Sequence, residues 1–301
     1  MTRMPTTIPE YLDQLRVALA GADPALIQDA LYDAEEYLRS EMAENPGKSE
    51  AEVIASVAGS YGAPEEVAEI YRDTEVTVNK ALRPPPPQRR KSLLGQFFGV
   101  IADPRAYAAL FYMLLSLATG VFYFTWVVTG LSLSLGLSVL IIGLVVPIVF
   151  FGTVRVLALV EGRIVEVMLG ERMPRRPLYA DRERPLLQRI GAMFTDPRTW
   201  STLLYMLLML PLGVAYFTIA VTGIATSIAL VAAPVILVLS SFGVVDGDFY
   251  IGGDTVLPPA LMLPLAAVLG VLLPFVLLHI ARGIARLQGA LAKSLLVKSA
   301  A

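Results

Sequence analysis

The stretch that decides the fold reads Asp103-Pro104-Arg105, Tyr112-Met113-Leu114-Leu115, Gly120, Tyr123-Phe124-Thr125 and Thr129-Gly130. Ninety-three residues later the chain repeats it as Asp196-Pro197-Arg198, Tyr205-Met206-Leu207-Leu208, Gly213, Tyr216-Phe217-Thr218 and Thr222-Gly223. Shared hydrophobicity does not produce so many identities in phase, and a repeat sets how the spans are counted. The register then changes. Gly143, Pro147 and Arg155 return as Gly270, Pro274 and Arg282 at a spacing of 127, so the second copy carries 34 extra residues, at about 224–257. Each copy is a two-span unit, and the second has an insertion at its turn.

The 301 residues are 55% hydrophobic, with mean hydropathy +0.64, too apolar for a soluble domain and too polar for spans alone. The mixture resolves along the chain. Residues 1–80 hold 16 acidic and 6 basic residues, a net of −10, whereas 81–301 hold 10 acidic and 18 basic, a net of +8. An acidic head therefore precedes a basic-edged membrane body. The absence of cysteine excludes disulfides, thiolate metal sites and cysteine nucleophiles, and His279 is the single histidine. No His-Glu-x-x-His, phosphate-binding glycine loop or serine–histidine pair occurs. No catalytic residue, cofactor or enzymatic activity is expected. The first 20 residues include Pro5, Pro9, Glu10, Asp13 and Arg16 and have no apolar core of a signal peptide, so the head should remain cytoplasmic.

The head, 1–80, reads as short helices. Tyr11, Leu12, Leu15 and Leu19 fall at helical spacing. Asp23-Pro24 is a start signal, and Leu26, Ile27, Ala30 and Leu31 give the next helix its apolar face among many acids. Asn45-Pro46-Gly47 ends it, and Ser49 with Glu52 has capping-box spacing. Gly62-Ala63-Pro64-Glu65-Glu66-Val67-Ala68 opens a last helix. From 81 to 92 the chain is a linker: Pro84 to Pro87 favour a stiff polyproline spacer, and Arg89, Arg90 and Lys91 suit an anionic membrane surface.

Membrane unit 1 covers 93–177, with spans at about 106–129 and 131–155 joined near Thr129-Gly130. A basic loop, 178–198, leads to membrane unit 2 at 199–301, with spans at about 200–222 and 257–281. Hydropathy alone also allows a fifth span at 224–241. Lys and Arg gather before the first span, between the units and after the last, whereas 241–256 carries Asp246, Asp248 and Asp254 and no basic residue. The positive-inside rule then places both termini in the cytoplasm and requires an even number of spans. The expected fold is all-α: a soluble helical domain plus four spans, with 224–241 a re-entrant or interfacial segment broken at Pro234.

Several residues are candidates for structural or switching roles. Asp103 and Asp196 precede Pro and suit helix capping, next to Arg105 and Arg198. Arg155 and Arg282 lie near the ends of spans two and four, where a charge must snorkel or pair, and Asp103 and Asp196 stand at the same level. Pro147 and Pro274 are expected to interrupt spans two and four. Ser116 and Gly120 make a small-x-x-x-small pair suited to close helix contact. Asp246, Asp248 and Asp254 offer oxygen ligands to a hard cation, but their spacing matches no EF-hand and equally suits a solvated turn, so no metal site is assigned.

Two resemblances follow from these motifs. The head, with its opening Leu-x-x-Leu helix, long acidic helix and Gly62-x-Pro64-Glu65-Glu66-x-Ala68 element, resembles the HAAS-type helical domain. Such domains often accompany PadR-like transcription regulators, which implies signalling. Residues 97–297, through Asp196-Pro197-Arg198-x-Trp200, Leu204-Tyr205, Pro211-Leu212-Gly213 and Ala281-Arg282-Gly283-Ile284-Ala285-Arg286-Leu287, resemble the "putative sensor" membrane domain of actinobacterial-type sensor kinases. Nothing after 297 can be a kinase, so the output falls to the head. The expected function is a non-enzymatic inner-membrane sensor in contact with the lipid bilayer, whose head binds a cytoplasmic partner such as a PadR-like regulator. An acidic head should not bind nucleic acid directly, and a homo-oligomer is allowed. The alternatives are a non-catalytic subunit of a transporter or assembly complex, which the scarcity of polar residues in the spans disfavours, or a scaffold. Arg282→Ala should lower the melting temperature in detergent; unchanged melting would sink the clamp.

Overall fold

The computed structural model describes residues 4–82, 92–137, 145–176, 191, 194–243 and 259–297. Among them the chain is helical: α1 (Ile8–Ala18), α2 (Pro24–Glu44), α3 (Glu50–Ser60), α4 (Pro64–Leu82), α5 (Leu93–Phe98), a single 3-10 turn (Gly99–Ala102), α6 (Pro104–Leu137), α7 (Val145–Leu169), α8 (Pro197–Ser241) and α9 (Pro259–Leu296). Four of these, α6 to α9, are long and apolar enough to cross a membrane. The polyproline linker, Arg89, Arg90 and Lys91, and the acidic residues Asp246, Asp248 and Asp254 lie outside the described residues. The chain divides into two compact units: Met1–Pro86 with Val128–Tyr205 and Gly289–Ala301, and Pro87–Val127 with Met206–Gln288.

In the first unit, α1 to α4 fold around one core. Tyr11, Leu15, Leu19, Ala30, Leu38, Ile54 and Val57 are all buried there. Local signals start each helix. The Asp23 carboxylate accepts from the Ala25 N–H at 2.9 Å, with Pro24 at the first helical position. Ser49 and Glu52 form a reciprocal capping box. Gly62 turns the chain from α3 to α4 at φ +114°, a backbone conformation that disfavours side chains, and its carbonyl accepts from the Tyr11 hydroxyl at 2.8 Å. Burial pushes the Tyr11 and Tyr71 hydroxyls up, so both remain proton donors; the second donates to Asp33 Oδ2 at 2.9 Å.

The second unit is built from segments of α6, α8 and α9 with α5. Apolar side chains such as Phe111, Val214 and Val268 stay exposed along these helices, as expected where lipid replaces water. Lipid offers apolar side chains no reason to leave it, so the helices hold together by close packing. The tightest approach involves two glycines one repeat apart. A Cβ at Gly120 would lie 2.3 Å from the Met209 carbonyl oxygen, and a Cβ at Gly213 would lie 2.2 Å from that of Ser116. The spacing of 93 relates Ser116 to Met209 and Gly120 to Gly213, so each copy offers its glycine to the other's backbone. Ala109, Met113, Ala220 and Ala281 continue this core with small and flexible side chains. Phe97 stacks on His279 and on Phe275, and the His279 Nε2 lies 3.1 Å from the Phe97 carbonyl.

Two expectations need correction. The first and third spans do not turn near Thr129-Gly130 or Thr222-Gly223. α6 runs on to Leu137 and α8 to Ser241. These glycines serve packing: a Cβ at Gly130 would lie 2.1 Å from the Phe150 ring, and one at Gly223 would lie 2.9 Å from Leu277. Residues 224–241 are therefore not a separate re-entrant piece broken at Pro234. They continue α8, whose 45 residues reach roughly 68 Å, about twice the hydrocarbon thickness. Pro147 is buried in α7, and Pro274 is internal to α9.

Gly120→Ala and Gly213→Ala should each lower the melting temperature in detergent, through a destabilisation of about 1–3 kcal/mol. Gly152→Ala meets open space and should not lower it. Equal melting of all three variants would contradict the backbone contact.

Candidate functional site

The site grows from the start of α2. Asp23 and Pro24 fix the first turn, which sets Gln28 and Asp29 on one face; both are buried although polar, at 8% and 5% exposure. Buried polar groups require partners, and the segment after α7 supplies them. One Asp29 oxygen, Oδ1, accepts from the backbone N–H groups of Arg175 and Arg176 at 2.7 and 2.9 Å. The other, Oδ2, accepts from Arg172 Nη2 at 3.1 Å. The second arm of the Arg172 guanidinium, Nη1, pairs with Glu75 on α4. Burial pushes the Asp29 carboxyl above the usual carboxylate range, and the two backbone donors and Arg172 oppose that rise. Hydrogen bonds to a charged acceptor are the stronger kind, so this cluster is the main polar tie of the head to residues 172–176.

Gln28 extends the contact. Its Nε2 donates to the Arg176 carbonyl at 3.0 Å, and its Oε1 accepts from Arg198 Nη2 at 2.7 Å. Arg198 also donates from Nε and Nη2 to the Leu296 carbonyl, at 3.1 and 2.7 Å, which ties the start of α8 to the end of α9. Outer contacts are the 3.1 Å ion pair of Arg176 with Asp33 and the 2.5 Å bond of Lys293 to Asp23. More exposed pairs of this kind contribute little each. Met173 is buried, packed against Gly162 of α7.

The structure brings the candidate charges together crosswise. Arg155 of the first copy lies 3.8 Å from Asp196 of the second, and Arg282 of the second lies 3.5 Å from Asp103 of the first. Each aspartate also caps a helix: Asp103 accepts from the Arg105 N–H and Asp196 from the Arg198 N–H, both at 3.1 Å. The two arginines that follow differ. Arg105 is exposed, whereas its repeat mate Arg198 is engaged by Gln28 and Leu296.

Sequence reasoning passed over Asp29, Gln28, Arg172 and Glu161. For Asp29 a signal existed: it follows Leu26 by three residues on the apolar face of α2. Glu161 is fully buried in α7 and accepts from the Tyr205 hydroxyl at 2.8 Å. Its mate at the 127 spacing is Gln288, also fully buried, which accepts from the Tyr216 hydroxyl at 3.1 Å. Extending the repeat past Arg155 would have revealed this pair.

Comparison with known families places two models on the chain. The family described as "Putative sensor" matches residues 112–296, and HAAS matches residues 10–70. Neither the curated proteins nor the solved structures contain a match.

Asp29→Ala removes the shared acceptor of Arg172, Arg175 and Arg176 and should weaken the seat by about 2 kcal/mol. Deuterium uptake at 170–176 should rise while the α1–α3 core remains protected. Unchanged uptake at 170–176 would contradict the assignment.

Proposed function

The chain belongs to the Sensor family, and we propose that it is a non-enzymatic relay in the inner membrane, with both termini in the cytoplasm. It carries a state of the envelope or bilayer to a cytoplasmic protein through its N-terminal helical domain. The coarse reading, a multi-pass membrane signalling protein, rests on the four apolar helices and the two family matches. The finer reading is carried by one observation: the domain is seated on residues 172–176 and Arg198 through Gln28 and Asp29. The polar bonds of this seat can be released, because water replaces each of them at small net cost. A shift of the membrane helices that moves Arg172 or Arg198 alters that seat directly. The crosswise Arg155–Asp196 and Arg282–Asp103 pairs are, in this reading, the clamp that such a shift works against.

The resemblance of the head makes a PadR-like regulator the first partner to test. A protein partner with a basic surface fits a domain of net charge −10 over residues 1–80. Affinity capture in mild detergent, using the full chain, the Asp29→Ala chain and residues 1–80, checks the proposal. A transcription regulator should co-purify with residues 1–80 and more with Asp29→Ala than with the unchanged chain. Capture of membrane proteins alone, and only by the full chain, would favour a membrane-complex subunit.

A further inference from the structure

Next to the Gln28–Arg198 contact lies a half-enclosed cavity of about 80 Å³, with room for several waters or one oxyanion. Gln28, Arg155, Asp196, Arg198, Thr199 and Thr202 form its polar wall. Val154, Leu159 and Met173 form part of an apolar wall. Two guanidiniums face one carboxylate, so the lining carries an excess of one positive charge.

That carboxylate is committed already. One oxygen of Asp196 caps α8 through the Arg198 N–H, and the other faces Arg155 at 3.8 Å. The remaining donors are not satisfied. Arg198 spends Nε and Nη2 on Leu296 and Gln28, and its buried Nη1 has no hydrogen-bond partner. Thr199, only 4% exposed, has none at Oγ1. Buried orphan donors are uncommon and call for an explanation. Here a guanidinium nitrogen and a hydroxyl are left over on two residues that line one cavity, beside a second guanidinium. Forked cationic donors with an adjacent hydroxyl fit the several acceptor oxygens of a phosphate group.

We infer that the cavity binds a phosphate group. Arg198 Nη1 and Arg155 contact its oxygens, and the Thr199 hydroxyl donates the third bond. The apolar wall favours an anionic phospholipid as the source, with its glycerol and first methylenes along Val154 and Leu159; a soluble phosphate shares the same headgroup chemistry. The inference deepens the relay reading and rests on it in one respect. Gln28 belongs to the N-terminal domain, so a bound phosphate adds bonds at Arg198 without breaking that to Gln28, and occupancy holds the domain in its seat.

The test uses the full chain in a neutral detergent, with native mass spectrometry as readout. Phosphatidylglycerol, phosphatidylcholine and inorganic phosphate are added separately to the unchanged chain, to Thr199→Val and to Arg198→Gln. Thr199→Val keeps the shape of a buried side chain, so it remains informative if Arg198→Gln fails to fold. One phosphatidylglycerol should be retained by the unchanged chain and held about tenfold more weakly by the variants, with phosphatidylcholine not retained. Retention of inorganic phosphate with the same variant dependence would assign the site to a soluble source. Equal retention of both lipids, or no loss in a folded variant, would overturn the site. Deuterium uptake at 170–176, followed with and without lipid, separates the two ideas: site-specific retention with unchanged uptake leaves the site standing and removes its part in the relay.

Discussion

Contact between the backbones of α6 and α8 is the constraint on which the second unit depends. Gly120 lies against the Met209 carbonyl and Gly213 against that of Ser116, with no space for a Cβ at either point. In lipid, apolar burial gives little drive to association, so such contacts take the place of a hydrophobic core. The contact is reciprocal, because the same register of 93 residues relates both members. The ion pairs follow the same reciprocity: Arg155 meets Asp196, and Arg282 meets Asp103. A charge near hydrocarbon is costly alone, and each copy supplies the partner that the other's arginine needs.

In the proposed relay, function enters where the two copies stop being equivalent. Arg105 is exposed, but Arg198 is held by Gln28 and by the Leu296 carbonyl. Glu161 faces a tyrosine from the first copy, and the neutral Gln288 does so from the second. The N-terminal domain uses this difference, since its contacts run to residues 172–176, to Arg198 and to Lys293. Asp29 is central among them, because one carboxylate organises two backbone amides and a guanidinium that also holds Glu75.

Much of this was legible in the sequence. The repeat gave the four long helices, and Asp-Pro steps and the Ser49–Glu52 spacing marked helix starts. The ends of the spans were not legible. Thr129-Gly130 has the composition of a turn, but a glycine inside a helix serves equally to admit a neighbouring ring, as Gly130 admits Phe150. Pro234 failed as a break because α8 accommodates it within a continuous helix. The seat was hidden for another reason. Asp29 lies among many acids of α2; its place on the apolar face, three residues after Leu26, marks it as buried but not what it binds, because its partners are more than 140 residues away.

The most direct measurement is the separation of two spin labels, on Glu69→Cys in α4 and Val167→Cys in α7, both exposed positions in a chain with no native cysteine. If the domain is seated through Asp29, the labels give one narrow distance distribution, and adding Asp29→Ala broadens it toward longer distances. A distribution already broad in the unchanged chain, or one that Asp29→Ala leaves untouched, would contradict the account.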